Sequence, residues 1–282
     1  MNLSQPLAEI FVPDGLPPDQ ALARTTHLAL GAHQDDIEFM ALAGVLACYR
    51  QSGRWFTGVT LTNGAGSPRA GLYAAVTDDE MQRIRVREQR QAAQVGEYGA
   101  MVQLMYPSRA VKSSGNATLH DELRALFGAC RPEVVYLHNP ADKHDTHVGS
   151  CLRALEALRS LPTAEQPRQV LGCEVWRDLD WLPDALKVVL PVAAHPNLAA
   201  ALNGVFDSQI TGGKRYDLAV QGRRAANATF LESHAVDQGT AVQFAMDLTP
   251  LLAEPDLTPG ELVRRHLAAL AEDIAERVSR CA

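Results

Sequence analysis

Runs of five to eight β-prone residues alternate with longer stretches of helical period along most of the chain, and this alternation constrains the fold more than any other feature. A strand joined to its parallel neighbour by a crossover helix has both faces covered, so the pattern predicts an α/β, Rossmann-like three-layer fold with a mostly parallel sheet between helices. The expected strands are Thr26–Ala32, Phe56–Thr62, Met101–Met105, Glu133–Leu137, Gln169–Trp176 and Lys187–Val192. The expected helices between them are Ile37–Ser52, Asp78–Glu97, Leu119–Cys130, His147–Leu161 and Pro196–Gln209. Residues 1–24, with the Pro-rich stretch Phe11–Pro18, read as an irregular leader. Residues 25–282 read as one α/β domain, and beyond about residue 210 the strand signal fades into helices at Asp217–Glu232 and Pro259–Arg280.

Charge narrows the function classes. With 33 acidic against 26 basic side chains the net charge is −7, which argues against a protein built to neutralise nucleic-acid phosphates. The longest stretch without Asp, Glu, Lys or Arg, Val188 to Phe206, contains Pro191, His195, Pro196, Asn197 and Asn203, so no membrane span is expected. The first residues, MNLSQPLAEIFVPDG, have neither a cationic start nor an apolar run, and the expected location is cytoplasmic. Five scattered cysteines with no C-x-x-C pair fit neither a disulfide framework nor a zinc ribbon. Four of them read as small buried hydrophobes, and Cys281 lies in the tail.

Two clusters carry chemistry. The first, Gly31-Ala32-His33-Gln34-Asp35-Asp36-Ile37-Glu38, follows the first expected strand, where open parallel sheets build their sites. One Asp could simply cap the following helix, but a cap requires neither His33 nor a second Asp. The second, His138-Asn139-Pro140-Ala141-Asp142-Lys143-His144-Asp145-Thr146-His147, holds three of the nine histidines and two aspartates in ten residues. Both follow strands expected to flank the topological switch point, so they can meet across about 100 residues of chain. Zinc takes imidazole and carboxylate ligands in a tetrahedral set and keeps one position for water in catalytic sites, so two His and one carboxylate drawn from the two clusters fit Zn2+ or another divalent transition metal.

Ala32-His33-Gln34-Asp35-Asp36-Ile37-Glu38 resembles the A-H-P-D-D-x-E motif of the PIG-L/LmbE-type metal-dependent deacetylases, with Gln in place of Pro. Asp142-Lys143-His144-Asp145-Thr146-His147 is similar to that family's D-x-H-x-D-H motif, with Thr before the last His, and Arg85-Val86-Arg87-Glu88 is similar to its R-x-x-E element. The resemblance covers residues 25–160 and implies removal of an acetyl group from an N-acetylglucosamine-containing small molecule or glycoconjugate. It implies that His33, Asp36 and His147 bind the metal, that Asp35 is the general base on the metal-bound water, that His144 is the general acid and that Arg85 contacts substrate. Gln34 lacks the fixed φ of proline but deletes no ligand or catalytic group, so this departure is discounted. Thr146 removes a carboxylate that would support a ligand, a role that Asp142 or Asp145 could take over.

Other candidates read more simply. His195 suits a loop, His138 closes a strand and could back the site, and Asn63-Gly64-Ala65-Gly66-Ser67 matches no phosphate loop but resembles a substrate-facing segment. Trp176, Arg177, Asp178 and Trp181 form a candidate carbohydrate platform, with core packing the rival role for Trp176, while Ser67 and Ser150 show no triad pattern. The rival functional reading is a catalytically silent sugar- or metal-binding protein on the same fold; binding alone would not require an acid and a base beside the metal. Oligomeric state is left open.

Overall fold

The computed structural model describes residues 2–282. Strands β1 (Glu9–Phe11), β2 (His27–Gly31), β3 (Phe56–Thr62), β4 (Ala100–Tyr106), β5 (Val134–His138), β6 (Gln169–Cys173), β7 (Lys187–Pro191) and β8 (Val242–Asp247) form one sheet in the order β1-β4-β3-β2-β5-β6-β8-β7. The central run from β4 to β6 is parallel, whereas β1 and β8 lie antiparallel to their neighbours. The helices are α1 (Pro18–Ala23), α2 (Asp36–Met40), α3 (Leu42–Cys48), α4 (Asp78–Val95), α5 (Ser108–Lys112), α6 (Ala117–Cys130), α7 (Asp145–Arg159), α8 (Pro196–Gly204), α9 (Asp207–Ile210), α10 (Tyr216–Phe230), α11 (Pro250–Ala253) and α12 (Pro259–Cys281).

Successive strand side chains alternate between two cores, as the twofold period of a strand requires. Leu28, Leu30, Val59, Leu61, Val135 and Leu137 pack with α6 and α7 on one face, while Ala29, Met101 and Tyr136 pack with α2 and α3 on the other. Cys48, Cys130, Cys151 and Cys173 are buried free thiols and Cys281 is exposed, as expected. No helix among the described residues is long and apolar enough to cross a membrane.

The structure departs from the sequence expectations at three places. The leader is not wholly irregular: Glu9–Phe11 adds an edge strand to β4, and Pro18–Ala23 is helical with Pro at its first turn. The expected helix Ile37–Ser52 is two helices broken at Ala41, and Pro196–Gln209 is likewise divided after Gly204. The strand Val242–Asp247 lies within a region expected to be helical and inserts between β6 and β7.

That missed strand explains the helix break. Val242, Phe244 and Met246 face one core, and Gln243 points to the other, where Nε2 donates to the Phe39 carbonyl at 2.7 Å and Oε1 accepts from the Ala43 N–H at 3.2 Å. Arg224 Nη2 donates to the Glu38 and Phe39 carbonyls at 2.7 and 3.1 Å. The backbone groups exposed at the break are thus satisfied by buried side chains, as buried helix ends require. Gln243→Ala leaves the Ala43 N–H unpaired and is expected to lower stability by about 1–3 kcal/mol in urea unfolding; an unchanged midpoint would show that the break does not depend on Gln243.

Candidate metal centre and active site

The chain runs from β2 outward through β3 to β4, then returns to place β5 on the other side of β2. In a parallel sheet this reversal opens a crevice at the carboxyl ends of the two strands. His27 to Ala29 pair with Val134 to Tyr136, so the segments after Gly31 and after His138 emerge side by side. The two clusters meet there.

Asp36, the first residue of α2, is the centre of the meeting. Its Oδ2 accepts the His33 backbone N–H at 2.7 Å and lies 3.2 Å from His33 Nδ1. His147 Nε2 lies 3.3 Å from Asp36 Oδ1 and 3.3 Å from His33 Nδ1. Ligand atoms of His33, Asp36 and His147 all fall within 4.8 Å of one another, a two-imidazole, one-carboxylate set that fits a divalent metal. Burial pushes the Asp36 carboxyl up, but the His147, His138 and His33 imidazoles outweigh it and hold it well below the usual range. Burial likewise opposes charge on His147, yet Asp36 and Asp142 raise its pKa, so this corner favours positive charge where a metal would sit.

Behind the triad, Asp142 Oδ2 lies 3.4 Å from His147 Nδ1. A proton on Nδ1 donated to that carboxylate leaves the Nε2 lone pair free, the usual support for a metal-ligating imidazole. Asp142 is itself held by the His144 and Trp176 backbone N–H groups at 3.0 and 3.2 Å. Of the two acids that could offset Thr146, the geometry selects Asp142; Asp145 is exposed. His138 is fully buried and stacked on His147 at 3.9 Å, and its Nε2 accepts the Ala32 N–H at 2.9 Å. His138, Asp142 and His147 form a second, buried cluster behind the triad, in which the Ala32 N–H engages His138 Nε2 and the His144 and Trp176 amides engage Asp142.

Asp35 points elsewhere. With φ at 103° its backbone turns the carboxylate towards Arg85, whose Nη2 lies 3.1 Å from Oδ2. Arg85 also donates to the Gln34 carbonyl and to Ser67 Oγ. It lines the cavity, and its ion pair fixes the position of the Asp35 carboxylate. Burial, with Asp36 and Glu38 nearby, raises the Asp35 pKa well above the carboxylate norm despite Arg85. Gln89 of α4 ties the turn together: its Oε1 accepts the Asp35 N–H at 3.2 Å and its Nε2 donates to Glu38 at 2.9 Å. Glu38 also accepts from Tyr98 and is pushed up to about 7 by burial. The Gln34 side chain is buried, and its amide donates to the Thr62 carbonyl at 3.0 Å.

His33, Asp35, Asp36, His144 and His147 line a cavity of about 480 Å³. His144 is half-buried; its Nδ1 accepts the Thr146 N–H at 3.3 Å, which leaves Nε2 to carry the proton of the neutral ring. Burial and the neighbouring His147 lower its pKa. Gly64, Gly66 and Ser67 line the cavity, as the resemblance implied for that loop, and so does Trp176. His195 packs edge-on against Tyr49 away from the cavity, and neither Trp181 nor Arg177 lines it. Lys112, Gln209, Lys214 and Tyr216 do line it, although no sequence motif singled them out.

The stretch holding both clusters, residues 28–158, matches the PIG-L family, described as GlcNAc-PI de-N-acetylase. The match spans 131 of the 282 residues. No curated protein sequence matches the chain at a significant level. Among solved structures it is similar to the conserved protein TT1542 from Thermus thermophilus, with 19% identity over 82% of this chain and 98% of that one and a TM-score of 0.61. It is also similar to N,N'-diacetylchitobiose deacetylase from Pyrococcus horikoshii, with 15% identity over 79% and 84% of the two chains and a TM-score of 0.60. A third, GalB, the 4-carboxy-2-hydroxymuconate hydratase from Pseudomonas putida, shares 17% identity over 79% and 95% with a TM-score of 0.56. Identities this low establish a shared fold.

The supporting contacts can be tested one by one. Asp142→Asn is expected to weaken metal binding about 10–100-fold in chelator competition, whereas Asp145→Ala leaves it unchanged; equal affinities in both variants would remove Asp142 from its supporting role. Glu38 holds a proton in the folded state up to about pH 7 that the unfolded chain, with an ordinary carboxyl near 4.5, has already released. Its contribution to metal-free stability therefore falls as pH rises between those values. Glu38→Gln should flatten that part of the profile, and an unchanged slope in urea midpoints would contradict the assignment.

Proposed function

We propose that the protein is a zinc-dependent hydrolase that removes the N-acetyl group from an N-acetylglucosamine-containing small molecule or glycoconjugate. The observation that carries this reading is the convergence of His33, Asp36 and His147 with a buried, non-ligating carboxylate, Asp35, on one cavity. A divalent metal at the triad supplies a Lewis acid that lowers the pKa of water and polarises the amide carbonyl.

The chain's own residues then divide the proton work. Asp35, with its pKa raised by burial, takes a proton from the attacking water, and a base nearer neutrality suits that task better than an ordinary carboxylate. Arg85 and Gln89 hold Asp35 in position. His144, whose Nδ1 accepts the Thr146 N–H, has its Nε2–H available as a hydrogen-bond donor to the carbonyl oxygen as charge develops; it acts as general acid to the departing amine once Nδ1 exchanges that contact for a proton, so that the ring passes from cation to neutral as it gives up the Nε2 proton. Trp176 and Tyr216 offer aromatic surface to the sugar ring. The silent binding-protein reading leaves Asp35 without a purpose, since it is buried beside the triad and turned away from it.

The test is acetate release from a panel of N-acetylglucosaminides by metal-loaded protein, with elemental analysis alongside. Asp35→Ala is expected to keep its metal and lose about 10²–10⁴-fold in rate, while His33→Ala and His147→Ala lose the metal itself. Full turnover in all three variants would overturn the assigned mechanism. Metal binding without acetate from any member of the panel would overturn the substrate.

A further inference from the structure

The chain has 26 basic residues, and only four are lysines: Lys112, Lys143, Lys187 and Lys214. Lys187 is paired with Asp184 at 2.7 Å and lies 3.9 Å from Asp180. The other three gather at one place. Lys112 and Lys214 line the catalytic cavity, and Lys143 lines a neighbouring cavity of about 280 Å³ that shares Phe39, Val175, Trp176 and Tyr216 with it. Among the described residues none of the three makes an ion pair. The acids lining the two cavities are committed elsewhere: Asp35 to Arg85, Asp36 to the imidazoles, and Glu174 to Asn227 and the Leu179 and Phe244 N–H groups.

Two of these lysines sit on backbone built to hold them. Lys112 ends α5, which lies against α7 at Gly149, two residues beyond His147; a Cβ on Gly149 would come within 2.9 Å of the Val111 carbonyl oxygen and 3.2 Å of Lys112 Cα. Arg153 of α7 donates to the Ser113 carbonyl at 2.6 Å just past the end of α5. The position of Lys112 is thereby tied to the helix that carries a metal-ligand candidate. Lys214 lies half-buried between α9 and α10, its backbone N–H donating to the Gln209 carbonyl at 3.0 Å and its Nζ 5.1 Å from the centre of the Trp176 ring. The preceding turn closes so tightly that a Cβ on Gly212 would meet the Ser208 carbonyl oxygen at 1.9 Å. Ser208 is in turn held by Glu88 through its N–H and hydroxyl at 2.7 and 2.6 Å. Glu88 lies on α4, the helix that carries Arg85.

We infer that the substrate carries an anionic oxygen group, a carboxylate or a phosphate, outside its acetamide, and that Lys112 and Lys214 bind it. The inference rests on the deacetylase reading of the same site and narrows its substrate class. In a chain of net charge −7, unpaired ammonium groups on the cavity wall provide the attraction that an anionic substrate needs. An ammonium is a compact point charge on a flexible stem and can meet either anion without the planar match that Arg requires. Lys143, on the neighbouring cavity, extends the positive field.

The test compares three probes that differ only at the anomeric oxygen: methyl N-acetylglucosaminide, its carboxymethyl counterpart and N-acetylglucosamine 1-phosphate. Acetate release and calorimetric affinity are measured for each. Wild-type protein is expected to favour at least one charged probe over the methyl glycoside by about 10–100-fold, mainly through KM, the scale of a hydrogen bond to a charged group. Whichever charged probe is favoured identifies the anion. Lys112→Ala and Lys214→Ala should each reduce that ratio, Lys112→Arg and Lys214→Arg should retain most of it, and added salt should erode it. A wild-type ratio near one, or a ratio untouched by both alanine substitutions, overturns the inference while acetate release leaves the deacetylase reading intact. Lysine-dependent binding of a charged probe without acetate supports the anion subsite and overturns the deacetylase reading. No binding of any probe overturns both.

Discussion

A carboxylate taken out of water is stable only where enough positive charge and hydrogen-bond donors surround it, and Asp36 is buried at the junction of the two halves of the sheet. The His33 N–H and the imidazoles of His33 and His147 meet that need from the turn after β2 and the first turn of α7, and His138 at the end of β5 stacks behind His147 and accepts the Ala32 N–H. None of these groups would be within reach if β2 and β5 were not parallel neighbours. The requirement also works outward. His147 needs Asp142 to fix its proton, Asp142 needs the His144 and Trp176 amides, and the Trp176 segment follows β6, the next strand along. One buried charge therefore links the loops after three adjacent strands.

Much of this was legible because parallel strands buried on both faces read as continuous apolar runs, so five of the six expected strands lie close to where they occur; the sixth, β7, is an antiparallel edge strand that also lies near its expected place. The two polar clusters stood out as interruptions of those runs at strand ends. What escaped the sequence has local physical reasons. β8 carries Gln243 within a six-residue strand because the pleat directs that position at the α2–α3 break, and the polar residue hid the strand. β1 is three residues long and is stabilised by pairing with β4, a contact that no local pattern announces. The choice of Asp142 over Asp145 depends on the turn between Asn139 and His144, where Asp142 Oδ1 accepts the His144 N–H and leaves Oδ2 for His147. Lys112, Lys214 and Tyr216 come from segments that share no motif with the clusters, and only the folded sheet brings them to one cavity.

The fold alone does not decide the chemistry. Structures of the same architecture include one called a deacetylase and one called a hydratase. In this chain the donor set is confined to residues flanking the switch point, and the far walls come from α5 and from the segment between α9 and α10. The candidate metal ligands and the far walls of the cavity are thus built from different parts of the chain. The PIG-L match ends at residue 158, before Trp176, Lys214 and Tyr216, so the second wall can vary without disturbing the first.

The pairing of Asp35 with Asp36 shows how the backbone assigns roles to adjacent identical side chains. In an ordinary helical turn two successive carboxylates diverge by about 100° and face similar solvent or similar partners. Here Asp35 takes a φ of 103°, a conformation that costs a non-glycine residue on the order of 1–3 kcal/mol and persists only where surrounding contacts impose it. Those contacts are present: Gln89 accepts the Asp35 N–H, and Arg85 grips both the Asp35 carboxylate and the Gln34 carbonyl just before it. The strained turn sends Asp36 to the imidazoles, which hold its pKa below the usual range, and Asp35 to the guanidinium, where burial raises its pKa in spite of Arg85. A relaxed turn would leave two equivalent acids facing the same partners; the strain gives two identical side chains different ones, imidazoles for Asp36 and a guanidinium for Asp35.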